Sequence, residues 1–130
     1  MIVALDIGLR RIGVASSPDG RVVFPREAIL RRGRKQAAEA VSRLLAELQA
    51  DRVVVGLPRG GSSEEEMERR IRHFVSLLTL PEGSELFFQD EAGSSEEAKE
   101  RMRGVIRQRR DGTIDSLAAQ VILERWLEGH

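Results

Sequence analysis

The sequence predicts an α/β fold: a five-stranded mixed sheet, with three strands in an antiparallel meander and two more parallel to the first, flanked by helices. Three observations carry this. Apolar runs rich in β-branched residues at 2–7 and 52–57 have the composition of strands covered on both faces. Glycine and proline turn signals at 8–10 and 17–20 separate the first three strands closely enough for hairpins. Later stretches place apolar residues at three-, four- and seven-residue spacing, as helices that cross over a sheet do.

In chain order, residues 2–7 and 11–16 form the first two strands across Gly8 to Arg10, and the turn Ser17-Pro18-Asp19-Gly20 leads to a third over 21–29. Residues 35–49 put Ala37, Ala38, Val41, Leu44, Leu45 and Leu48 on one face of an amphipathic helix. Arg52 to Pro58 is a fourth strand, ended by Gly56 and Pro58, central and parallel to the first. Ser62 and Ser63 followed by Glu65 and Glu66 supply capping chemistry for a helix that runs to Pro81 with Met67, Ile71, Phe74, Val75 and Leu78 inward. Glu85 to Gln89 is the fifth strand and ends in Asp90-Glu91. Ser94-Ser95-Glu96-Glu97 caps a helix to about Gln108. Asp115 then opens a last helix bearing Leu117, Ala118, Val121, Ile122, Leu123, Trp126 and Leu127, apolar over most of its surface and therefore made to lie on the sheet. Loops are expected at 59–63 and 107–113, and residues 1–130 read as one domain without repeats or linkers.

Composition narrows the chemistry. No run of about 18 apolar residues occurs, so neither a membrane span nor a secretory signal is expected, and the protein should be cytoplasmic. The absence of cysteine leaves oxygen ligands, with only His73 and His130 beside them, so any metal should be hard. His73 is read as a structural or surface residue and Trp126 as core. A formal net charge of zero argues against a globally basic nucleic-acid binder. The cations are nearly all arginine, however, and they cluster at Arg31-Arg32-Gly33-Arg34-Lys35 and at Arg101, Arg103, Arg107, Arg109 and Arg110, which could grip a polyanion locally or form solvated helix faces.

The acids carry the functional argument. An aspartate at the end of the apolar first strand spends a charge where burial makes charge costly. Gly8 removes a side chain where backbone must turn or approach a ligand closely, and Gly13 does the same opposite it. If strands one, four and five run parallel, their C-terminal ends share one edge, where Asp6, Gly56 and Asp90-Glu91 converge. Asp115 reaches the same edge if the last helix crosses the sheet, although it serves equally well as that helix's N-cap. Acids so close cannot all stay charged without a cation, and paired divalent ions are the usual arrangement for phosphoryl displacement. Metal-assisted phosphodiester cleavage follows.

These residues resemble the small YqgF-type proteins, described as pre-16S ribosomal RNA nucleases and as Holliday-junction resolvases, with a ribonuclease-H-like fold. The matching segments are Ala4-Leu5-Asp6-Ile7-Gly8 with Arg11-Ile12-Gly13-Val14-Ala15, Val54-Val55-Gly56-Leu57-Pro58, Gln89-Asp90-Glu91, and Ile114-Asp115-Ser116-Leu117-Ala118-Ala119 through Ile122-Leu123. The resemblance implies a nuclease acting on structured RNA at the 5′ end of pre-16S rRNA, or alternatively on branched DNA as a homodimer. It implies Asp6, Glu91 and Asp115 as catalytic carboxylates and, with the adjacent Asp90, as ligands of Mg²⁺ or Mn²⁺ held as two ions. Arg11 and the Gly56-Leu57-Pro58 loop would line the substrate side, and Arg59, Arg107, Arg109 and Arg110 are further candidates for holding nucleic acid. The chain departs from the family in having Ala92-Gly93 where Arg-Leu usually follows Asp-Glu, and Ser94-Ser95 where threonines stand. That loss removes a phosphate or carboxylate partner and loosens the turn aiming Glu91, so a nucleic-acid-binding scaffold without catalysis is a second reading. A sugar-kinase or actin-like ATPase, which also opens with Asp-x-Gly, is a third. It needs two lobes where this chain has one. Separately, Gly60-Gly61 is not a P-loop, since no Gly-Lys-Ser/Thr follows it, and reads as a loop beside the cavity.

Overall fold

The structure is a computed structural model that describes residues 1–58, 62–91, 100 and 113–130. Within them the elements are β1 (Ile2–Ile7), β2 (Arg11–Ser17), β3 (Phe24–Leu30), α1 (Arg34–Glu47), β4 (Arg52–Leu57), α2 (Ser62–Ser76), β5 (Glu85–Asp90) and α3 (Thr113–Glu128). The strands form one sheet in the order β3-β2-β1-β4-β5. β1 to β3 make the antiparallel meander, while β4 and β5 run parallel to β1. The helix expected over 94–108 lies outside the described residues.

Side chains alternate across a strand, and here the alternation sorts two cores. Val3, Leu5 and Ile7 join Val53, Val55 and Leu57 on the face covered by α1 and α2, through Val41, Leu45, Ile71 and Phe74. Ile2, Ala4, Ala15 and Val54 lie on the other face against Ala119, Ile122, Leu123 and Trp126 of α3. Having both faces covered is why β1 and β4 are apolar apart from Asp6 and Arg52. β3 is an edge strand, largely exposed, and tolerates Pro25 there. Trp126 is buried as read, stacked on His130 with ring centroids 4.3 Å apart.

Several boundaries move for local reasons. β3 begins at Phe24 rather than 21, because the Asp19 carboxylate accepts the Arg21 and Val22 amides at 2.8 and 3.0 Å and takes them from the ladder. Gly20, at φ +76°, completes that turn, and its amide donates to the Ser17 hydroxyl. α1 starts at Arg34 because the Gln36 side-chain carbonyl accepts the Arg32 and Gly33 amides. α2 stops at Ser76, short of Pro81, where the Thr79 amide turns to the Ser42 hydroxyl of α1 at 2.9 Å. Gly56 does not end β4 but lies inside it. Asp115 stands in the first turn of α3, which opens at Thr113, so it is not the cap.

Candidate active site

The C-terminal ends of β1, β4 and β5 share one edge of the sheet, as their parallel pairing requires. Asp6 follows Ile2 and Ala4 in alternation and so belongs to the α3 face, paired across to Gly13 of β2. Glu91 comes just past β5, and its amide donates to the Leu57 carbonyl at 2.9 Å, which extends the ladder by one residue. That places the Glu91 side chain over Gly56: a Cβ on Gly56 would stand 2.8 Å from Glu91 Oε2 and 2.5 Å from Ile122 Cδ1.

Asp115 arrives with α3, whose first turn rests directly on β2. A Cβ on Gly13 would collide with the Asp115 carbonyl and come within 2.9 Å of the Ser116 amide nitrogen. At the same point the pairing of β2 with β3 shifts register between Ile12 and Val14, and the Val14 amide donates to the buried Ser116 hydroxyl at 3.3 Å. Glycine in β2 and serine in α3 thus let a helix end approach a strand closely and fix it there.

The carboxyl groups titrate accordingly. Burial pushes Asp6 well above the usual carboxylate range, helped by the charge of Glu91, a hydrogen bond shared with it, and the charge of Asp115. Burial also raises Glu91, with Asp90 adding to the effect and the bond from Asp6 opposing it. The hydrogen bond between the two raises Asp6 and lowers Glu91, as it does when Asp6 is the donor. Asp115 is raised by burial and drawn down by the Arg11 guanidinium, which puts that arginine's charge beside the acids.

The structure brings Asp6, Glu91 and Asp115 toward one place and leaves Asp90 outside. Asp90 pairs with Leu57, has the parity of the α1/α2 face and is exposed. Among the described residues no three acidic or imidazole side chains are gathered closely enough to hold one ion as they stand. The donor set nonetheless fits a hard divalent cation, since it is all carboxylate oxygen and the repulsion that helps raise Asp6 is one a cation would relieve. Arg59, Arg107, Arg109 and Arg110, and the departure at Ala92-Gly93, lie outside the described residues.

Two residues with a part in the site had only a faint signal in the sequence. Gly13 marks a close approach, but what approaches is α3. Ser116 stands in a segment that resembles the family's, but nothing local shows its role, because its partner is Val14 in another element.

The family described as "RuvX: Holliday junction resolvase" matches residues 1–129. Proteins named "Putative pre-16S rRNA nuclease" are similar over nearly the whole length. One from Sulfurovum sp. (strain NBC37-1) is 56% identical over 126 residues, 97% of each chain. One from Sulfurimonas denitrificans is 51% identical over 125 residues, 96% of this chain and 95% of its own. One from Helicobacter pylori (strain G27) is 41% identical, covering 98% and 96%. The fold is shared with the Fowlpox virus resolvase, solved in complex with its substrate Holliday junction DNA, at a TM-score of 0.59 and 12% identity over 98% of this chain and 97% of that one. No helix among the described residues is long and apolar enough to cross a membrane.

Proposed function

Because the chain belongs to the RuvX family, we propose that it is a metal-dependent endonuclease of ribonuclease-H-like fold that processes the 5′ end of pre-16S rRNA. The observation that carries this is the partly buried Asp6–Glu91 carboxyl pair at the shared strand ends, with Asp115 delivered beside it by α3. Residues 1–130 act as one such unit, in the cytoplasm. The relatives' name favours RNA. The family's description and the fold shared with a resolvase favour branched DNA as the second reading, which calls for a homodimer to cut two symmetric strands.

Asp6, Glu91 and Asp115 are the residues to hold Mg²⁺ or Mn²⁺, as two ions. When bound, such ions supply an activated water and neutralise charge on the phosphate oxygens. The chain's own part is arrangement. Asp6 and Glu91 would present carboxylate oxygens to a cation that relieves the repulsion between them. The first turn of α3, fixed by Gly13 and Ser116, keeps Asp115 at the edge. Arg11 lies where it can both restrain Asp115 and meet a phosphate.

The test is cleavage of a labelled precursor rRNA 5′ leader beside a four-way DNA junction, with Mg²⁺ or Mn²⁺, for wild type and Asp6→Asn. Cleavage of the leader by the wild type, reduced at least about 100-fold in the variant, is expected. Cleavage of the junction instead moves the assignment to a resolvase. Binding without cleavage of either makes the chain a scaffold, with Ala92-Gly93 as its mark.

A further inference from the structure

Behind the β1–β2 loop, on the sheet face opposite the acids, lies a cleft of about 600 Å³ between the start of α1 and the middle of α2. Its apolar floor includes Ile7 and Phe74, and four guanidinium groups, Arg31, Arg34, Arg69 and Arg70, surround it against the single carboxylate of Glu66. Two of the four are already engaged. Arg31 donates to the Gly8 carbonyl at 2.7 Å and lies over the Phe74 ring at 4.8 Å, which ties the loop to α2. Arg70 pairs with Glu66 at 2.9 Å, one helical turn away. Arg34 and Arg69 are exposed and have no hydrogen bond or ion pair among the described residues.

A neutral protein that concentrates unneutralised arginine around one concavity has made a local anion site. Its position says which anion. Ile7, which lines the cleft, follows Asp6 directly on β1, so the two point to opposite faces of one strand end, and the Gly8–Arg10 loop follows directly on it. Leu9, 62% exposed, stands at the cleft's edge on that loop. A polyanion with evenly spaced phosphates could cross the loop and meet both places, whereas a small anion would fill only one.

We propose that the Arg34–Arg69 cleft binds the phosphodiester backbone of the nucleic-acid strand beyond the bond being cut, leading it over the Gly8–Arg10 loop to the acids. This rests on the nuclease reading and adds a second, metal-independent grip on the substrate. Arg34 and Arg69 hold phosphates, and Arg31 acts as a positioning residue through Gly8.

The test compares wild type, Arg34→Ala/Arg69→Ala and a control with equal charge loss away from the cleft, Arg21→Ala/Arg43→Ala. Fluorescence anisotropy follows binding of a labelled single-stranded leader RNA and of a four-way DNA junction in EDTA across a salt series, and cleavage of the preferred substrate follows in Mn²⁺. The cleft variant should bind roughly 10-fold more weakly, and for the RNA its log K against log salt slope should be shallower by about 1.4, two contacts' worth. In cleavage its KM should rise with kcat kept, while the control tracks wild type in both assays. If the cleft variant and the control behave alike while wild type binds and cuts, the cleft assignment is overturned and the nuclease reading stands. A wild type that neither binds nor cuts either substrate removes the nuclease reading and the cleft with it.

Discussion

A carboxyl group at the end of a central strand, desolvated and touching a second carboxyl, keeps its proton to higher pH than a free one does, and this ties the stability of the metal-free protein to pH. Folding raises Asp6 and Glu91 above their ordinary values, so the folded state holds more protons than the unfolded chain. Their contribution is therefore most favourable below the ordinary carboxylate range and is lost as pH rises from there through the raised folded values. Thermal melts in EDTA from roughly pH 5 to 8 should show wild type losing stability relative to Asp6→Asn as pH increases. Adding Mn²⁺ at neutral pH should raise the wild-type melting temperature and leave that of Asp6→Asn nearly unmoved, since only a state that binds the ion gains from it. The other residue with an outsized local part is Arg31. Its alanine variant loses the bond to the Gly8 carbonyl and the contact with the Phe74 ring. Urea denaturation should find it less stable by about 1–2 kcal/mol.

At the level of elements, the docking of α3 on β2 decides whether Asp115 reaches the edge. Gly13→Ala puts a methyl group into the Asp115 backbone, which cannot swing aside as a side chain would. It should cost about 3 kcal/mol, the upper end for overfilling a close contact. Ser116→Ala leaves the buried Val14 amide without its acceptor, a smaller loss of about 1–3 kcal/mol with the helix still seated. Denaturation of the two variants, read beside their cleavage rates, should show Gly13→Ala losing activity out of proportion to Ser116→Ala. Elements were legible in the sequence where a local pattern dictates them. β1 and β4 follow from apolar runs that only Asp6 and Arg52 depart from, and α1 follows from spacing to within two residues. The start of β3 was not legible, because it depends on which amides the Asp19 side chain captures. Nor was the difference between Asp90 and Glu91. Alternation separates them only once β5 is known to extend its ladder by one residue, and the two stand together in sequence.

Across the whole molecule, the convergence of Asp6 and Glu91 could be anticipated because parallel strands must end on one side. The two glycines that make room, Gly13 and Gly56, could be seen as unusual residues within strands, but not matched to Asp115 and Glu91, which lie far away in the chain. The same architecture ranks stability by place. β1 and β4 have a paired strand on each side and a covered face above and below, whereas β3 is a largely exposed edge. Hydrogen exchange should be slowest at Val3 to Leu5 and Val53 to Val55, fastest along β3, and intermediate in the first turn of α3. That last expectation bears on the life of the protein in a cell full of RNA. Asp6 is made early, Glu91 much later, and Asp115 later still, so a growing chain, or one clipped or partly melted so that α3 lifts from Gly13, holds the acids apart. On the proposed assignment of these acids, unfinished and damaged copies should be silent, and the power to cut would itself report that folding has been completed.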